Sequence, residues 1–143
     1  MNWDCHVHVF GPAARHPLAS RLAYRPPDRS LADLEAVAGP AGIGRIVLVQ
    51  PSVYGTDNSC MLDALRSGEG RHRAVAVVPP DFSRQEFEAL HALGVRGIRF
   101  NLVSKAGNSL DEAATDALKF WVRGEARVDS GRTSAARRTM TRS

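Results

Sequence analysis

The 143-residue sequence predicts an α/β fold built on a parallel sheet. Three observations carry that expectation. Four short runs rich in apolar and β-branched residues recur along the chain, most of them stopped by Gly or Pro. Segments with capping residues and helical apolar spacing separate them. The strand starts lie roughly 25 to 40 residues apart, as expected of βα units closed by right-handed crossovers.

The first run is Cys5-His6-Val7-His8-Val9-Phe10, stopped by Gly11-Pro12. Alternation on a strand puts His6 and His8 on one face and Cys5, Val7 and Val9 on the other. Ala13 to Ser30 is irregular and carries Pro17, Pro26 and Pro27. That is long for a loop, and long loops in compact domains tend to be functional or disordered. Ser30 is an N-cap candidate for a helix through Leu31, Leu34 and Val37 that ends near Gly39-Pro40. Arg45 to Gln50 is a second strand, stopped by Pro51. Asp57 or Ser59 caps a second helix carrying Met61, Leu62 and Leu65. Arg73 to Val78 is a third strand, stopped by Pro79-Pro80. Ser83 opens a third helix, with Glu86 as its capping-box partner and Phe87, Leu90 and Leu93 as its apolar face. Arg96 to Leu102 is a fourth strand, and Ser109 or Asp111 opens a last helix through Ala117, Leu118 and Trp121. Strands buried on both faces, alternating with helices, give either a small doubly wound sheet or the first half of an eight-stranded barrel.

Composition narrows the function. Apolar residues make up 43% of the chain and charged residues 24%, as in ordinary globular proteins. No apolar run approaches the roughly 20 residues of a membrane span, and no secretory signal pattern opens the chain. Cys5 and Cys60 have no metal-motif or disulfide-framework spacing, so reduced thiols in the cytoplasm are expected. The pI is near 9.7, but the basic character is local. Residues 124–143 hold five arginines against Glu125 and Asp129, a net +3; of the formal net +4 this leaves +1 for the preceding 123 residues. Nucleic-acid binding is not expected from such a body. No glycine-rich phosphate loop follows any strand, so nucleotide binding has no support either.

In parallel α/β folds, chemistry gathers at the carboxyl ends of the strands. Here those ends hold His6 and His8, the turn Gln50 to Asn58 with Ser52 and Tyr54, Asp81, and Arg99 with Asn101. Two imidazoles, hydroxyls and a guanidinium suit an anionic substrate carrying a carbonyl. Each also has a plainer reading. Ser52 and Asp57 can serve as turn and cap residues, and Tyr54 as a packed aromatic. Arg99 can be the partner of Asp4 or Asp57. His16, His72 and His91 have no motif and read as surface residues.

Three blocks together, D-C-H-V-H-V-F-G-P, V-L-V-Q-P-S-V-Y-G-T-D-N and G-V-R-G-I-R-F-N, resemble the amidohydrolase-related metal-dependent hydrolases. Within them the similarity is to the 2-pyrone-4,6-dicarboxylate lactonase branch. It covers roughly Asp4 to Asp111. The resemblance implies a TIM (β/α)8 barrel, of which this chain would be the N-terminal half, about four βα units with an irregular C-terminal tail. It implies that His6 and His8 are catalytic, holding a divalent metal (Zn or Mn, not obligatory) or polarising the substrate carbonyl. It implies substrate contacts for Tyr24, Ser52, Tyr54 and Arg99. Lys105 falls where the lactonases have a second carboxylate-binding arginine, and a lysine keeps the charge without the bidentate fork. The implied function is opening of a lactone or cyclic ester that carries a carboxylate. A non-catalytic module binding an anionic metabolite and a decarboxylase on the same scaffold are the alternatives.

A full barrel needs about 250 residues, and the family's later histidine and its catalytic aspartate have no counterpart after Asn101. Residues 124–143 lack Leu, Ile and aromatic side chains, so the expected division is a partial barrel over 1–123 and a disordered basic tail over 124–143. Such a composition also fits an out-of-frame reading of a GC-rich gene. The expectation is therefore a frameshift or truncation between about Ala113 and Gly124, with a chain inactive on its own; a genuine tail that binds an anionic surface is the rival. Open sheet edges would make such a chain aggregate, and pairing of two halves as a homodimer would close the sheet.

Overall fold

The computed structural model describes residues 2–19, 25–79 and 81–100. The strands are β1 (Asn2–Val7), β2 (Ile43–Val49), β3 (Arg73–Ala76) and β4 (Val95–Ile98). The helices are α1 (Leu31–Ala38), α2 (Ser59–Ser67) and α3 (Arg84–Ala92), with 3-10 turns at Gly39–Ala41 and Ser52–Tyr54. All strand pairs are parallel and the order is β1-β2-β3-β4. This order decides between the two architectures left open by the sequence. A doubly wound sheet reverses its strand order at a switch point, whereas a barrel adds each strand beside the last. The described residues follow the barrel order. The fourth helix and the tail expected from the sequence lie outside them.

The core is one layer between sheet and helices. Ile46, Leu48, Ala74, Ala76 and Val95 of the strands pack with Leu31, Met61, Leu65, Phe87 and Leu90 of the helices. Capping fixes where two helices begin. Ser30 Oγ accepts from Asp33 N–H at 3.2 Å while the Asp33 carboxylate accepts from Ser30 N–H at 2.8 Å. Ser83 and Glu86 repeat the arrangement at α3. At α2 the cap position is Asn58, with the Asp57 carboxylate accepting from Ser59 N–H at 3.0 Å.

Several expectations need correction. Val37 is 79% exposed. It falls off the stripe that Leu31, Leu34 and Ala38 share, since residues six apart do not lie on one helix face. β1 ends at Val7 rather than Phe10 and is exposed over much of its length, not buried on both faces. Among the described residues it has only β2 beside it, and the Asp4 carboxylate accepts the His6 N–H at 3.1 Å, where the pairing with β2 shifts register. β4 ends at Ile98, although Arg99 N–H still donates to Ala76 O at 2.7 Å.

His16 and His72 are buried, not surface residues. His72, 2% exposed, accepts the Ile46 N–H at Nδ1 (3.2 Å), so its ring proton sits on Nε2 and donates to Glu35 at 2.9 Å. A side chain at Gly68 would stand 2.5 Å from the His72 ring, so glycine makes the room. His16 hydrogen-bonds Ser59 Oγ at 3.1 Å and lies 3.7 Å from Asp63. The partners are 26 to 47 residues away, so no local pattern announced either histidine.

These contacts set the acid behaviour. The hydrogen bond from His72 is the main cause that holds the Glu35 carboxyl below its ordinary range. The capping bonds from Ser30 and Ser83 do the same for Asp33 and Glu86. A carboxylate lowered in the folded state contributes stability that is present above its unfolded pKa and lost as pH falls through the folded one. Urea midpoints are thus expected to fall as pH drops below the usual carboxylate range. His72→Phe, which removes the donor to Glu35, should flatten that dependence.

Candidate active site

The site is built from the carboxyl ends of adjacent strands. β1 delivers His6 and, one residue beyond its last paired position, His8. Their ring centroids are 5.2 Å apart and nearly perpendicular. His8 Nδ1 lies 2.7 Å from Val49 O, at the end of β2. A carbonyl can only accept, so Nδ1 carries a proton, and in the neutral ring the Nε2 lone pair has no hydrogen-bond partner among the described residues. Burial is the main cause that lowers the His8 pKa; the bond to Val49 opposes it, and the charges of His6 and Arg99 lower it further. Burial thereby favours the neutral form of the His8 imidazole.

Arg99 follows β4. It does not pair with Asp4 or Asp57; its Nη1 donates to Gln50 O at 3.0 Å, at the end of β2. Among the described residues nothing pairs with Nε or Nη2, and that edge of the fork has the geometry to take a carboxylate. Ser52 opens the 3-10 turn after β2 and is half-buried. Tyr54 closes that turn, is 4% exposed, and accepts the Gly11 N–H on its hydroxyl at 3.0 Å. Burial is the main cause that pushes its pKa up to about 12. Tyr24, Asn101 and Lys105 lie outside the described residues.

Two buried amides hold the turn, and the sequence reading gave neither a role. Asn58 forms a reciprocal pair with Val77 at the end of β3: Nδ2 donates to Val77 O at 2.7 Å and Oδ1 accepts Val77 N–H at 3.1 Å. It also donates to Thr56 O at 3.0 Å. Gln50 Nε2 donates to Asp57 O at 2.7 Å and Gly55 O at 3.4 Å. The signal available was two amides in a turn flanked by core strands, where buried polar groups must find backbone partners.

The metal implied by the resemblance fits in part. His8 has the arrangement a ligand needs, with Nδ1–H oriented by a carbonyl and Nε2 without a hydrogen-bond partner among the described residues, and His6 stands beside it. Among the described residues, however, no three His, Cys, Asp or Glu side chains converge as a metal would require. When bound there, a divalent ion supplies a Lewis acid for a carbonyl. A cavity of about 680 Å³ lies elsewhere, between the start of α1 and the length of α2, lined by Phe10, His16, Leu31, Cys60 and Asp63 among others. Neither His6, His8, Ser52 nor Arg99 lines it. No described helix is long and apolar enough to cross a membrane.

Comparison with known proteins agrees with this geometry. A 2-pyrone-4,6-dicarboxylate hydrolase from Comamonas testosteroni is 44% identical over 102 residues, covering 71% of this chain and 33% of the relative. A 4-sulfomuconolactone hydrolase from Hydrogenophaga intermedia is 35% identical over 121 residues, covering 84% of this chain and 40% of the relative. The chain thus spans a third to two fifths of the length of these curated relatives. Among solved structures, a probable 2-pyrone-4,6-dicarboxylic acid hydrolase from Acinetobacter baumannii, with citric acid bound, superposes with a TM-score of 0.64 at 26% identity. The superposition covers 73% of this chain and 42% of that one, as expected of part of a barrel. The family model described as amidohydrolase matches residues 3–127, a span that includes the four sequential strands but for Asn2 and, at the end of the first, the His6–His8 pair, and the chain belongs to that family.

Proposed function

We propose that these residues supply the anchoring and carbonyl-polarising part of a site that opens a carboxylate-bearing lactone. The observation that carries the reading is His8: its imidazole is fixed through Nδ1–H to Val49 O, and its Nε2, beside His6, has no hydrogen-bond partner among the described residues. Arg99 holds the carboxylate, and His6 and His8, with or without a divalent metal, polarise the ring carbonyl for water. Ser52, with Tyr24 and Lys105, orients the substrate. The names of two relatives, both lactone hydrolases or pyrone-dicarboxylate hydrolases, support that substrate class. The two unpaired cysteines agree with a cytoplasmic setting.

The reading assigns no general base among the described residues, so the 143-residue chain is expected to bind such a lactone without turning it over. Joined to the remaining portion of the Comamonas testosteroni relative, it is expected to release one proton per ring opened in a pH-stat. His8→Ala in that chimera should abolish the release. Carbon dioxide in place of the proton would establish decarboxylation instead. Binding without either product in the chimera would leave a non-catalytic module as the correct description.

A further inference from the structure

The turn after β2 touches the chain beyond His8 at more than one point. Tyr54 Oη accepts the Gly11 N–H at 3.0 Å, and Val53 O accepts the Ala19 N–H at 2.8 Å. Between His8 and Gly11, Phe10 forms a two-way backbone bridge with Arg29 (2.8 and 2.7 Å). A row of rings runs the same way: His6 to His8 at 5.2 Å, His8 to Phe10 at 6.1 Å, Phe10 to Tyr54 at 6.5 Å. The joint has no slack. A Cβ at Gly11 would stand 2.5 Å from His16 Cδ2 and 3.2 Å from Cys60 Sγ. The Tyr54 hydroxyl is thus engaged from within the protein by the Gly11 N–H, and the Cys60 sulfur packs at the same glycine.

We propose that Tyr54 is a positioning residue that acts through Gly11 and Phe10 to fix the ring of His8, and does not touch substrate. The inference rests on reading His6 and His8 as the reactive pair. Its mechanism is geometric. His8 lies beyond the last paired residue of β1, so the ladder with β2 does not hold its backbone. What holds the segment is the Arg29 bridge, the bond to Tyr54, and the His8 bond to Val49 that those contacts make reachable. With its hydroxyl engaged by Gly11 and the residue 4% exposed, Tyr54 has little left to offer a ligand.

The test uses the full 143-residue chain, 15N-labelled, in the wild type and in Tyr54→Phe and Val53→Ala. Nitrogen shifts of the imidazole report its tautomer. In the wild type His8 is expected as the Nδ1–H form alone, with a protected Gly11 amide. Tyr54→Phe should speed Gly11 amide exchange by about tenfold or more and turn His8 into a mixture of tautomers. Val53→Ala, a buried truncation in the same turn, should lower stability and leave the His8 tautomer unchanged. An unchanged His8 spectrum in Tyr54→Phe overturns the proposal while the reactive pair stands, and so does an equal change in both variants. A wild-type His8 protonated on Nε2 overturns the proposal and the reading beneath it. If Tyr54→Phe fails to fold, Gly11 exchange in the wild type decides: an unprotected amide contradicts the Tyr54 anchor, and a protected one upholds it.

Discussion

Arg99→Ala is expected to weaken binding of a lactone dicarboxylate by roughly 30-fold or more, the loss that follows when one partner of a partly desolvated charge pair is removed. The guanidinium is held in place before any ligand arrives. Its Nη1 is committed to Gln50 O, and its own N–H is tied to Ala76 O, so the other edge of the fork needs little further ordering. Pre-organisation of this kind turns a surface-type ion pair into a useful one, because less side-chain entropy is lost on binding. Arg99→Lys keeps the charge but can satisfy neither Gln50 O and a bidentate carboxylate together, and should fall between the two. Isothermal titration calorimetry at fixed salt reads all three proteins. A lost affinity with an unchanged urea midpoint assigns the effect to the ligand.

Asn58→Ala is expected to cost about 2–4 kcal/mol of stability. The side chain is buried and makes three hydrogen bonds, two of them with Val77. Alanine leaves the Val77 N–H and C=O and the Thr56 C=O without those partners, and buried groups stripped of partners cost their full desolvation. The loss should appear as a lower urea midpoint. Asn58→Asp offers an acceptor to Val77 N–H but no donor, and places a charge in the core, so it should be no milder.

The alternation of parallel strands with helices and the two Ser-capped helices were legible because each has a local cause, whereas the strand order that marks a barrel was not. Ser83 and Glu86 stand at capping-box spacing, and Ile46, Leu48 and Ala74 lie in continuous apolar runs. His6 and His8 were legible as a pair because they are two residues apart. What was not legible depends on residues far apart in sequence. Nothing near His72 forecasts Ile46 and Glu35, and nothing near Tyr54 forecasts Gly11, 43 residues earlier. Arg99 illustrates the middle case. Its type and place pointed to an anion, but its resident partner is the Gln50 carbonyl, which no charge pattern could indicate.

The most direct test is to titrate the labelled chain with 2-pyrone-4,6-dicarboxylate and follow the side-chain nitrogen signals of its histidines and Arg99. The account predicts that His6, His8 and Arg99 move together along one binding curve while His16 and His72 stay fixed. Movement of His16, which lines the cavity between α1 and α2, with His8 and Arg99 unmoved would contradict it.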